Sequence, residues 1–128
     1  MDVTSLYTNI PQEEGTEIVC KTYELFHNND PPIPTHYLRE ILCLILTENS
    51  FQFNGNNYLQ SHGVARSTKT SVSFGNIYMA EIETNPVLQS NTKPREWKRY
   101  IDDFFSLWDC NRKDVELLLK KLTISILQ

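Results

Sequence analysis

Arg99-Tyr100-Ile101-Asp102-Asp103-Phe104-Phe105 sets two adjacent carboxylates between short runs of aromatic and β-branched residues. Such residues favour strands, so the Asp pair reads as the turn of a hairpin. Two negative charges in a buried turn are costly unless water, hydrogen bonds or cations compensate them. A hard divalent cation is the natural compensator, because it prefers carboxylate oxygens. Asp is also an ordinary turn residue, since its side chain can bond its own backbone. On this stretch alone a solvated turn and a metal site both stand.

Upstream of the pair, Lys93, Arg95, Lys98 and Arg99 form a basic run with Trp97 among them. Nucleic-acid binders are usually basic somewhere, because phosphate contacts supply much of their affinity. A solvated surface is the ordinary alternative for such a run. The chain as a whole is acidic, with a formal net charge of −4 over 128 residues. That length suits one domain with a modest core. The densest apolar run, Ile41 to Leu46, is too short to span a bilayer. The start, Met1-Asp2-Val3-Thr4, carries neither the basic nor the apolar region of a secretory signal. Three cysteines, Cys20, Cys43 and Cys110, are odd in number and far apart, which suits free thiols in a reducing compartment. None stands at zinc-ligand spacing to His27, His36 or His62.

Working outward along the chain, Met1 to Tyr7 reads as a strand, broken by Thr8-Asn9-Ile10-Pro11. Pro11 suits the first turn of a helix, and Glu13 and Glu14 place carboxylates at its positive end. Ile18, Val19, Tyr23, Leu25 and Phe26 give that helix an apolar face. A loop through Pro31-Pro32 follows. Thr35 is a good N-cap for a second helix, whose Leu38, Ile41, Leu42 and Ile45 form a stripe. Leu44 and Leu46 add apolar surface outside it, so this helix is expected to be well buried. Ser50 to Gln60 reads as a hairpin about Asn54-Gly55. His62 to Ala65 is a loop, and a helix runs from about Thr68 to Thr84 with Phe74, Ile77 and Tyr78 inward. Pro86 should end or kink it. After the Asp hairpin, Asp109 or Asn111 caps a last helix with Val115, Leu118, Leu119 and Leu122 at i, i+3, i+4, i+7. The tail Thr123 to Leu127 alternates as a strand. The pattern is α+β: an antiparallel sheet with helices packed on one face.

Two-metal phosphoryl transfer needs carboxylates from separate strands converging on ions roughly 3.5–4 Å apart. Asp102 is one candidate, and Asp2 lies in another expected strand. The segment Asp2-Val3-Thr4-Ser5-Leu6-Tyr7-Thr8-Asn9-Ile10-Pro11 resembles the first catalytic motif of the reverse transcriptases of Penelope-like retroelements. His62-Gly63-Val64-Ala65 through Phe74-Gly75-Asn76-Ile77-Tyr78-Met79 resembles their second motif. Tyr100-Ile101-Asp102-Asp103 resembles the third, the Tyr-x-Asp-Asp hairpin. The three occur in the family's order, and the resemblance covers essentially the whole chain.

The resemblance implies a polymerase palm-like fold and RNA-directed DNA polymerase activity with two Mg²⁺ ions. It implies metal ligation by Asp2 and Asp102, with Asp103 supporting the site and able to ligate. Tyr7 matches the aromatic that lies under the sugar and disfavours a 2′-hydroxyl; a packed aromatic is the alternative. Strict strand alternation puts Asp2 and Tyr7 on opposite faces, so the chain must turn between them, earlier than the break at Thr8. Gly63 and Asn76 match the second motif. Lys69 matches the family and is a candidate for facing the triphosphate, or a solvated lysine. The implied partners are an RNA or DNA template-primer and deoxynucleoside triphosphates, and the implied location is nuclear. The sequence carries no indication of oligomeric state.

Two features depart from the family. Arg66-Ser67 stands where the family typically has Met-Gly, and Val72 where it often has Pro. Ser67 is obstructive if that Gly adopts positive φ or admits the substrate. Arg66 is a candidate phosphate contact or a replacement in a decaying copy. The family also places fingers before the first motif, and the rest of the palm, a thumb and often a GIY-YIG endonuclease after the third. The expectation for residues 1–128 is therefore a partial reverse transcriptase domain, the palm core, weak or inactive alone. The alternative is a degenerate, non-catalytic palm-like domain that binds nucleic acid or protein.

Overall fold

The computed structural model describes residues 6–28, 30–66, 68–89 and 93–127, with side chains omitted for 85–89 and 121–127. The described chain is mixed α+β: five helices and two separate two-stranded antiparallel sheets. The expected strand over Met1 to Tyr7 lies outside the described residues up to position 5. Beyond it, Leu6 and Tyr7 are helical, in the single turn α1 (Leu6–Asn9). Burial explains the difference. Leu6, Tyr7 and Ile10 are all buried, and spacing i, i+1, i+4 gathers on one side of a helical turn what strand alternation would separate. The turn demanded between Asp2 and Tyr7 thus begins by Leu6.

Two compact units make up the chain, Tyr7–Tyr78 and a second unit holding Leu6 and the described residues from Met79 onward. In the first, α2 (Gln12–Phe26) starts after Pro11, which takes the N-cap position in extended backbone. It packs on α3 (Thr35–Thr47), where Pro34, not Thr35, is the N-cap. Of the α3 leucines and isoleucines only Leu42 and Leu46 are buried, while Ile41 and Leu44 are exposed. The expected burial all round is therefore corrected to a one-sided stripe: an apolar helix needs cover on several sides, and α2 covers one. Val19, Cys20, Val64, Phe74 and Tyr78 complete the core of this unit. Burial raises the Cys20 thiol pKa. The Tyr78 hydroxyl is pushed up to about 12, first by burial and then by the nearby Glu14 carboxylate.

The hairpin β1 (Ser50–Phe53) and β2 (Asn56–Leu59) pairs as expected about Asn54 and Gly55. Both turn residues have positive φ, +50° and +80°, the type I′ geometry that Asn-Gly favours. Every residue from Phe51 to Leu59 is exposed.

Helix α4 (Ser71–Gln89) does not end near Thr84 but runs on through Pro86. The φ of proline is itself helical, so Pro86 removes the bond to the Ile82 carbonyl without forcing the chain out of the helix. In the second unit β3 (Glu96–Tyr100) pairs with β4 (Asp103–Leu107). Helix α5 (Arg112–Leu127) follows, and the Asn111 carbonyl accepts the Asp114 amide at its start. Thr123 to Leu127 continue this helix, which corrects the expected tail strand. Extending an existing helix is cheaper than ending it, and that outweighs five residues of alternating pattern. The expected single antiparallel sheet is likewise replaced, among the described residues, by two hairpins in separate sheets.

Candidate functional site

The Asp pair sits where β3 turns into β4. Tyr100 pairs with Asp103, so Ile101 and Asp102 alone form the loop, and Asp103 is the first strand residue. Ile101 has φ +56° and Asp102 does not share the positive region. Positive φ at the first loop position only is the type II′ pattern, which favours glycine there. For a β-branched side chain it is a strained conformation, so something other than local preference holds this turn.

The strands alternate cleanly. Trp97, Arg99, Phe104 and Ser106 are half-buried on one face, while Glu96, Lys98, Tyr100, Phe105 and Leu107 are exposed on the other. The inner face is aromatic: the Trp97 ring lies 5.2 Å from Phe104 and 6.4 Å from Trp108. Glu83 of α4 reaches this face. Its Oε2 accepts the Trp97 indole N–H at 3.0 Å, and its Oε1 accepts the Arg99 Nε–H in an ion pair. Both charged side chains are only 13% exposed. Arg99 then donates from Nη1 to the Ile101 carbonyl at 3.0 Å. A chain of hydrogen bonds thus runs from α4 to the strained residue beside Asp102. The basic run is divided by this alternation. Arg99 points inward to Glu83, Lys98 pairs outward with Glu96 at 3.7 Å, and Lys93 and Arg95 remain exposed.

Glu83 was not among the residues singled out from sequence. Its signal is its position four residues after Met79, which is fully buried. An acid on the buried face of a helix demands a partner.

In the unit Tyr7–Tyr78, three residues taken from the motifs meet. Tyr7 is buried. Its backbone carbonyl accepts the Val64 amide at 2.6 Å. Gly63, at φ +69°, makes that approach possible, because a Cβ there would lie 2.6 Å from the Tyr7 carbonyl oxygen and 2.7 Å from Thr8 Cα. The Tyr7 ring also rests where a Cβ on Gly75 would sit, at 3.1 Å. The Arg66 guanidinium carbon stands 5.8 Å from the centroid of the Tyr7 ring, within cation–π range. Gln12, also missed from sequence, ties the loop down: its Nε2 donates to the Gly63 carbonyl at 2.9 Å and the Leu46 carbonyl at 3.2 Å. Lys69 is exposed and Asn76 half-buried, before and within α4. Ser71, fully buried, donates to the Thr68 carbonyl at 2.7 Å and fixes the entry to that helix.

Asp2 and Ser67 lie outside the described residues, so Asp102 and Asp103 are the described carboxylates of the expected metal set. Their oxygen donors suit a hard divalent cation. Among the described residues no group of three His, Cys, Asp or Glu side chains stands ready for a metal ion. No described helix is long and apolar enough to cross a membrane. No known family, curated protein or solved structure matches the chain.

Proposed function

We propose that this chain is the palm core of an RNA-directed DNA polymerase, similar to the reverse transcriptases of Penelope-like retroelements. The observation that carries the reading is the Asp102–Asp103 pair where a two-residue loop enters β4, next to Ile101, which is held from α4 in a conformation its own side chain disfavours. A strained residue held beside a carboxylate pair points to a functional turn. In this reading Asp102 and Asp103, with Asp2, hold two Mg²⁺ ions. Bound there, the ions would activate the primer 3′-hydroxyl and neutralise the triphosphate.

The remaining roles belong to the protein's own side chains. The Tyr7 ring supports the nucleotide sugar and disfavours a 2′-hydroxyl. Gly63 keeps the loop against the Tyr7 backbone and so sets the height of that ring. Lys69 and Arg66 supply cations toward the triphosphate, and Asn76 lines the nucleotide side of α4. The partners are a template-primer and deoxynucleoside triphosphates, in the nucleus of a cell carrying the retroelement. Primer extension with Mg²⁺ on a homopolymeric RNA template tests the reading. Weak incorporation that disappears in a folded Asp102→Ala variant is the expected result. No incorporation by the unmodified protein at any concentration overturns it for this chain.

One observation favours a second reading, a palm-like domain that has lost catalysis and binds nucleic acid or protein. The Arg66 guanidinium covers the Tyr7 ring, the surface a sugar would use. Arg66→Met with Ser67→Gly uncovers it. Increased incorporation favours a polymerase impeded by these residues. Unchanged, absent incorporation, with nucleic-acid binding indifferent to Mg²⁺, favours the non-catalytic domain.

A further inference from the structure

We propose that Glu83 is a positioning residue for the Asp102–Asp103 turn, acting through Arg99 on the carbonyl of Ile101. The inference rests on the reading of Asp102 and Asp103 as metal ligands and adds the element that aims them.

An Ile-Asp loop has no local reason to place Ile101 at φ +56°, where glycine is favoured and a β-branched residue is strained. The peptide that joins Ile101 to Asp102 carries the carbonyl that Arg99 grips. Fixing that oxygen fixes the rotation of the peptide plane, and with it the direction in which the Asp102 side chain leaves the backbone. Arg99 can do this because its fork is rigid and planar. One edge is engaged by Glu83, and another nitrogen reaches the carbonyl. Glu83 is itself fixed by a second bond, from the Trp97 indole. With both charged side chains only 13% exposed, the pair is shielded from water and salt. The geometry is that of outer-shell groups which orient metal ligands without touching the metal. The outward pair Lys98–Glu96 on the same strand is exposed and lies on the face opposite Arg99.

The test uses the full chain, Mn²⁺ as the probe ion, and two readouts. Free Mn²⁺ measured by electron paramagnetic resonance gives affinity. The amide signals of residues 101–103 and the Trp97 indole signal report turn geometry by NMR. Glu83→Gln removes the charge that holds Arg99. Arg99→Lys keeps the positive charge but loses the fork. Glu96→Gln removes the same charge as Glu83→Gln from the opposite face. The expected result is a loss of Mn²⁺ affinity of about tenfold in both Glu83→Gln and Arg99→Lys. Shifted amides at 101–103 should accompany it, with Glu96→Gln within about twofold of the unmodified protein. Equal losses in Glu83→Gln and Glu96→Gln, with none in Arg99→Lys, overturn the proposal, because charge alone would then explain them. A moved Trp97 indole with unmoved amides at 101–103 also overturns it, reducing Glu83 to an anchor for Trp97. If Asp102→Asn binds Mn²⁺ as well as the unmodified protein, the metal reading fails by itself. The amides of 101–103 then still decide whether Glu83 sets the turn: their shift supports positioning and their constancy refutes it.

Discussion

The two hairpins of this chain turn in the same number of residues for opposite reasons. At Asn54-Gly55 the local sequence dictates the geometry: both residues tolerate positive φ and adopt it. The strand residues on either side are exposed from Phe51 to Leu59, and a stacked pair, Phe51 on Tyr58 at 5.6 Å, joins them. At Ile101-Asp102 the local sequence opposes the geometry. The turn persists through an aromatic inner face, a shielded ion pair with α4, and a bond to the Ile101 carbonyl. A hairpin made by its turn needs no neighbours. A hairpin made by its neighbours can carry residues chosen for chemistry, as proposed for Asp102 and Asp103.

The difference can be broken at several points. Glu83→Ala should have the largest effect. It removes the carboxylate that Arg99 and the Trp97 indole share on a half-buried face, at a cost of about 2–3 kcal/mol. Urea unfolding would measure this, and amide exchange should accelerate in β3 and β4 but not in β1 and β2. Gly55→Ala attacks the other hairpin at its turn. A Cβ there meets nothing within 4 Å at φ +80°, so the cost is backbone strain alone, about 1–2 kcal/mol, seen as faster exchange confined to β1 and β2. Phe51→Ala removes the cross-strand stack of an exposed pair and should cost only about 0.5–1 kcal/mol. Ile101→Gly has the smallest effect and the opposite sign. Relief of the strained φ, less the added flexibility of the unfolded chain, should raise stability by about 0.5 kcal/mol. A loss above about 1 kcal/mol would mean that Ile101 is not strained and that the two turns do not differ as described.

The same contrast explains what could be read from sequence. The Asn54-Gly55 hairpin, α2 and α3 were legible because turn chemistry, the Pro11 start and apolar spacing act over a few residues. The Asp hairpin was legible as a turn through its flanking aromatics, but its brace was not. Glu83 lies sixteen residues before Arg99, and periodicity does not report which acid meets which base. The strand expected through Tyr7 failed at Leu6 because burial of Leu6, Tyr7 and Ile10 outweighed alternation. The strand expected at Thr123 to Leu127 failed because a five-residue alternating stretch follows an established helix. The helix expected to stop near Thr84 runs on through Pro86, since about four turns of helix already precede it. Gly63 was legible as a motif position, whereas its physical role, the approach of the loop to the Tyr7 and Thr8 backbone, is a tertiary fact.

The strained hairpin, and not the relaxed one, is the one proposed to carry metal-binding carboxylates. Mn²⁺ added to the ¹⁵N-labelled protein tests it directly through paramagnetic broadening of backbone amides. The account predicts that the signals of Asp102 and Asp103 broaden at the lowest Mn²⁺ concentration and those of Asn54 and Gly55 stay sharp. It also predicts that Asp102→Asn abolishes the effect. Broadening spread evenly over exposed acids, or signals of 102 and 103 that stay sharp while others fade, would contradict it.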